Sequence, residues 1–192
     1  MTKPRSLPNV GLIGKLRAGK DVVAAYLADK YGYTRFAFGD ELKRYAHEIF
    51  GEPAPGEKPR ELYQWFGQTM RQRDPDVWVR KCLERITWFN YVYALSVPAK
   101  PVVITDTRQP NEFTALQSAG YVLIRVEAPD GLRIQRAVES GDTFSYVDLA
   151  HGTETALDGY AADFTVTNDA GLAELYAQID EIVRYLGGDW PE

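Results

Sequence analysis

The feature that most constrains this chain is Gly14-Lys15-Leu16-Arg17-Ala18-Gly19-Lys20-Asp21, set between the apolar run 10–13 and the amphipathic stretch 21–31. The spacing is G-x-x-x-x-G-K. Glycines let a loop fold back so that backbone N–H groups converge on phosphate oxygens, and the helix that follows turns its positive end to the same place. A lysine closing the loop adds a mobile charge for the outer phosphates. The context agrees, because the match follows a strand candidate and opens a helix whose Val22, Val23, Tyr26 and Leu27 share a stripe. Gly14, Lys15, Arg17, Ala18, Gly19, Lys20 and Asp21 are therefore the expected nucleotide-phosphate cradle. Asp21 stands where serine or threonine is usual, and two readings stay open: a carboxylate that holds Mg²⁺ directly or through water, or a cap on free helix N–H groups.

Around this loop, short apolar runs alternate with longer amphipathic stretches. Strands are expected at 10–13, 33–38, 102–105, 122–126 and 164–167, and helices at 21–31, 60–72, 77–89, 111–119, 132–140 and 172–186. A further helix is expected with Asp40 as its N-cap and Leu42, Tyr45, Ala46 and Ile49 inward, and Pro75 is placed in the first turn of the 77–89 helix. Apolar runs without polar alternation suit a parallel sheet covered on both faces. The expectation is one α/β domain, a three-layer α/β/α fold with a five-stranded, mainly parallel sheet. Its core would be 9–50 and 100–186, with a helical insertion at 51–99 and a lid at 133–152.

Composition narrows the function classes. The 192 residues carry 22 Lys and Arg against 27 Asp and Glu, a net charge of −5, which argues against a nucleic-acid coat or an anionic-membrane binder while leaving room for a local arginine cluster. A single cysteine, Cys82, excludes an internal disulfide framework and argues against a cysteine-built zinc site. No stretch approaches 18 apolar residues and the first nine hold no apolar targeting segment, so a cytoplasmic protein is expected.

Further candidates gather at strand ends and on helices. Asp106 ends an apolar strand where open α/β sheets bind ligands, which favours a metal-water or substrate role, and Arg108 would reach the same crevice. Arg133 and Arg136, three apart, share a helix face before Gly141-Asp142-Thr143; they serve either as guanidinium donors on a closing lid or as a solvated face. Arg71, Arg73 and Arg80 accompany Trp65, Phe66 and Trp78, although packing explains that aromatic stripe more readily than base stacking does. His47 and Cys82 read as structural, and His151 alone makes neither a metal site nor a triad.

Taken together these segments resemble the bacteriophage deoxynucleoside monophosphate kinases, in the P-loop group with adenylate and guanylate kinases. The likeness runs from Val10 to Ile182. It is carried by the phosphate loop ending in Lys-Asp, Phe38-Gly39-Asp40 with Leu42-Lys43, and Gln64-Trp65-Phe66-Gly67 with Arg71. Asp74-Pro75-Asp76-Val77-Trp78, Asp106-Thr107-Arg108 with Asn111-Glu112, and His151 with Glu154 complete it. The resemblance implies transfer of the ATP γ-phosphoryl group to a deoxynucleoside 5′-monophosphate, with Mg²⁺ accompanying ATP. Lys20, Arg108, Arg133 and Arg136 would be catalytic. Asp40, Lys43, Trp65, Arg71, Trp78, Asp106, Arg108 and Glu112 would contact the monophosphate, and Asp21 and Asp106 would serve the metal. Rival readings are a kinase of another phosphorylated metabolite and a nucleotide-dependent switch, the GTP version disfavoured by the lack of Asn-Lys-x-Asp. The aromatic insertion is served equally by a homodimer face or by internal packing.

Overall fold

A computed structural model describes residues 7–57, 59–94, 100–140 and 155–187. Five strands are numbered in chain order: β1 (Val10–Ile13), β2 (Thr34–Phe36), β3 (Val102–Thr107), β4 (Val122–Glu127) and β5 (Phe164–Thr167). They form one sheet in the order β2-β3-β1-β4-β5, with β1 central. Val10 lies opposite Val103 on one side and Val122 on the other, both in parallel register, and β5 runs parallel to β4. All four β1 residues are buried, as an apolar run without alternation requires when both faces are covered.

Helices α1 (Lys20–Tyr31), α2 (Phe38–Phe50), α3 (Arg60–Arg73), α4 (Val77–Ala94), α5 (Pro110–Ser118) and α6 (Asp130–Glu139) follow in order, and Leu172–Tyr185 is α7. α1 buries Val23, Ala24 and Leu27 in one apolar cluster with Val10, Val103, Ile124 and the α7 residues Leu175, Ile179 and Val183. It stops at Gly32, whose φ of 71° puts it in the left-handed region while its N–H donates to the Ala28 carbonyl. Beside that end, Asp180 of α7 accepts hydrogen bonds from Tyr26 (2.7 Å), Tyr31 (2.6 Å) and Lys30 (2.8 Å).

The chain divides into two compact units, 1–35 with 100–192, and 36–99. The sequence had placed α2 in the core, with the insertion starting near Gly51. Instead α2 packs on α3 and α4, so the division falls at Phe36. Three local details also differ. Ala37 takes the N-cap position of α2, leaving Asp40 in the first turn, and Ile49 faces solvent at 60% exposure rather than packing inward. Pro75 sits in the turn ahead of α4, where Val77 N–H reaches the Asp74 carbonyl at 3.2 Å. β3 also runs on to Thr107, which puts Asp106 inside the strand.

Candidate phosphate-binding site

The 14–19 loop has the backbone its glycines were expected to allow. Gly14 (φ 143°), Arg17 (φ 61°) and Gly19 (φ 110°) all lie at positive φ. A Cβ on Gly14 would run into the Val126 carbonyl oxygen, and one on Gly19 into the Asn168 amide, so at both positions glycine is required by space as well as by dihedral angle. Arg17 holds the left-handed conformation without that freedom, at a cost of about 1–2 kcal/mol that the surroundings must offset. Inside the loop Lys20, only 8% exposed, donates from Nζ to the Gly14 carbonyl and to that of Lys15 at 2.9 Å. The Lys15 carbonyl also accepts from the Ala18 N–H at 3.2 Å, closing a tight turn.

The outer side of the loop is held by side chains from two other elements. Arg133 of α6 donates from Nη1 to the Leu16 carbonyl (3.0 Å), and Arg136 reaches the Arg17 carbonyl (3.5 Å). Asn168, just after β5, donates from Nδ2 to the Ala18 carbonyl (2.8 Å), and its Oδ1 accepts from Arg136 Nη2 (3.1 Å). Arg133 also forms an ion pair with Asp130 (2.7 Å), which keeps that carboxyl below its ordinary range. The two arginines expected on a lid thus bind the loop backbone. Residues 141–152 of that lid, with His151 and Glu154, lie outside the described residues.

Beside the loop, at the carboxyl ends of the strands, is a cleft of about 440 Å³ walled by Gly14, Lys15, Ala18, Arg125, Asp130 and Arg133, among others. A narrower recess adjoins Gly14, Lys15, Thr107, Arg108, Arg125 and Asp158. The cleft carries charges of both signs, Lys15, Arg125 and Arg133 beside Glu127, Asp130 and Asp158, while the recess holds Lys15, Arg108 and Arg125 against Asp158. Lys15 lies 3.4 Å from Asp158, and Arg125 donates to the Leu157 (2.8 Å) and Tyr160 (2.6 Å) carbonyls. Thr107 is 1% exposed, and its hydroxyl has no hydrogen-bond partner among the described residues. Buried hydroxyls are rarely left so, and this one lines the recess.

Arg108 lines the recess as the sequence suggested, but Glu112 has a different task. It is 3% exposed, and its Oε2 accepts the N–H groups of Arg108 (2.8 Å) and Gln109 (3.0 Å), a capping box that starts α5. Expected as a substrate contact, it positions the backbone that carries Arg108.

In the 36–99 unit, Asp40 and Lys43 form a loose pair (3.9 Å) on the wall of an open cleft of about 530 Å³ that includes Arg44, His47 and Glu52. His47 bonds Tyr63 through Nε2 (2.6 Å) and Glu52 through Nδ1 (2.8 Å), in keeping with a structural histidine. Trp78 corrects an expectation. It is 3% exposed, packs on Phe66 and Tyr45, and donates from Nε1 to the Gly67 carbonyl (3.3 Å), so it is core rather than a base platform. Trp65 keeps 55% of its surface and touches Phe50 and Phe66. Arg71 is half-buried near Gly67.

Among the described residues no three acidic, histidine or cysteine side chains gather as a metal cluster. Asp21 is exposed in the first turn of α1 and Asp106 half-buried in β3. That pattern fits Mg²⁺, which keeps its waters and is held by substrate phosphates plus one or two carboxylates. Arg125, Asp158 and Asn168 escaped the sequence reading. Arg125 and Asn168 carried the signal that located Asp106, a polar residue at or just past the carboxyl end of an apolar strand.

No family model matches the chain. A protein of Acanthamoeba polyphaga mimivirus, provisionally named a deoxynucleotide monophosphate kinase, is 27% identical over 196 residues, covering 88% of this chain and 93% of that one. The deoxynucleotide monophosphate kinase of Escherichia phage RB69 is 30% identical over 106 residues, covering 53% of this chain and 38% of its own length. The chain resembles these viral kinases. Solved structures agree on the fold. A Thermus thermophilus protein superposes with a TM-score of 0.60 at 19% identity, covering 96% of this chain and all of that one. Shikimate kinase from Acinetobacter baumannii gives 0.51 at 20% identity, covering 93% of this chain and 94% of its own. The α/β architecture is the fold that both of these structures share with this chain. Among the described residues no helix is long and apolar enough to cross a membrane.

Proposed function

We propose that the protein is an ATP-dependent kinase that transfers the γ-phosphoryl group of ATP to the 5′-phosphate of a deoxynucleoside monophosphate, giving ADP and a deoxynucleoside diphosphate. The observation that carries this reading is the 14–19 loop, with positive φ at Gly14, Arg17 and Gly19 and Lys20 folded over its carbonyls at the start of α1. Such a loop presents main-chain N–H groups and a helix N-terminus to a polyphosphate. The likeness to two viral proteins named for this reaction supports the choice of acceptor.

Phosphoryl transfer passes through a loose transition state, so the protein's work is positioning and charge stabilisation. Lys20 exchanges its carbonyl partners for phosphate oxygens when the triphosphate enters. Arg108 and Arg125, lining the recess beside the loop, face charge that builds on the transferred group. The Thr107 hydroxyl gains there the partner it lacks among the described residues. Recognition of the monophosphate falls to Asp40, Lys43 and Arg71. Asp21 or Asp106 would hold the Mg²⁺ that accompanies ATP, which would supply charge neutralisation. An acceptor phosphate is ionised near neutral pH, so no general base is needed. A coupled ADP assay across ribo- and deoxynucleoside monophosphates tests the reading. The expected result is saturable, monophosphate-dependent ADP release, and equal release with no acceptor would contradict it.

A further inference from the structure

Three consecutive carbonyls of the phosphate loop are held from outside, and the residue that completes the set, Asn168, belongs to no phosphate motif. In a trans peptide the C=O of one residue and the N–H of the next point in opposite directions. Fixing the Leu16 carbonyl on Arg133 and the Ala18 carbonyl on Asn168 therefore turns the Arg17 and Gly19 N–H groups to the opposite side of the loop. Arg136 links the two holds, touching the Arg17 carbonyl while it donates to Asn168 through Oδ1 (3.1 Å) and the backbone carbonyl (3.2 Å). The Asn168 side chain is 4% exposed, and the space it fills is the space a Cβ on Gly19 would need. Its own N–H is bound to the Glu127 carbonyl (2.7 Å), which fixes the residue to the end of β4.

We infer that Asn168, supported by Arg136, is a positioning residue for the polyphosphate: by holding the Ala18 carbonyl outward it presets the loop's amides for phosphate oxygens. This rests on the phosphate-loop reading above and assigns that loop a brace remote in sequence. Preorganised donors bind and stabilise charge without reorganising when the ligand arrives, so a slackened brace weakens triphosphate binding before it weakens folding.

The test is calorimetric titration of the full chain with inorganic tripolyphosphate, alongside steady-state kinetics and thermal melts. Asn168→Ala removes the whole hold. Asn168→Asp keeps an acceptor for Arg136 but replaces the donor to Ala18 by a charged oxygen, so the neutral Asn168→Ala carries the comparison. Both variants are expected to weaken tripolyphosphate about fivefold to tenfold and to raise the KM for ATP by a similar factor. The KM for the monophosphate should stay as in the wild type. Folded variants that bind tripolyphosphate as tightly as the wild type would overturn the brace. So would failure of both variants to fold, because the role would then be structural. A wild-type protein that binds no tripolyphosphate would overturn the phosphate-loop reading itself, and the brace with it.

Discussion

Lys20 is a charged side chain folded inside its own loop. Its ammonium is buried against two backbone carbonyls, which satisfies a charge that would otherwise be costly to desolvate. Lys20→Met keeps the stem and removes the charge. The expected outcome is an unchanged circular dichroism spectrum, a melting temperature within a few degrees, and a fall in kcat of about 100-fold or more. Glu112 separates support from contact. Glu112→Ala leaves two N–H groups at the start of α5 without their acceptor and should cost about 2 kcal/mol in urea denaturation, with Glu112→Gln recovering most of it. The two tryptophans divide in the same way. Trp78→Ala opens the packed centre of the helical unit and should cost about 3–5 kcal/mol, whereas Trp65→Ala at the surface should cost within about 1 kcal/mol. If Trp78 were a base platform, its loss would raise the acceptor KM and leave stability intact.

At the scale of elements, the junction of α1 and α7 links stability to pH. Partial burial opposes the charged form of Asp180, but hydrogen bonds from Lys30, Tyr31 and Tyr26 outweigh it and hold the carboxyl below its ordinary range. Burial and then Asp180 push the Tyr31 phenol up to about 12. A depressed carboxylate contributes stability above its unfolded pKa of about 4 and loses it as pH falls further; a raised phenol contributes below about 10 and loses it as pH climbs toward 12. Urea midpoints measured from pH 3 to 11 should therefore fall at both ends. In Asp180→Asn both slopes should be shallower. The ends of β1 and β5 and most of α1, α3 and α7 were legible in the sequence, because apolar periodicity and glycine stops are local signals. Arg125 and Asn168 were not, because their importance comes from register: Arg125 stands opposite Ile13 across a parallel pairing of residues 112 apart in the chain. The place of α2 was hidden for a similar reason, since an amphipathic face does not name its partner. Glu112 looked like a ligand contact because a capping carboxylate and a substrate-binding one read alike until the backbone donors are seen.

For the molecule as a whole, the sheet order puts β1 and its loop between β3 and β4, so three strand ends converge on one recess. Although the net charge is −5, the recess beside that loop is lined by Lys15, Arg108 and Arg125 against the single acid Asp158 among the described residues, with Lys20 buried in the loop itself. The excess of cations in that recess predicts that binding of Mg·ATP weakens as salt rises, measurable by calorimetry at several ionic strengths. Transfer itself is the most direct test of the central claim. The protein is incubated with Mg²⁺, γ-labelled ATP and each deoxynucleoside monophosphate in turn, and the products are separated. The account predicts label in the β position of at least one deoxynucleoside diphosphate, in amounts equal to the ADP formed and absent with Lys20→Met. ATP bound but no label passed to any monophosphate would contradict it.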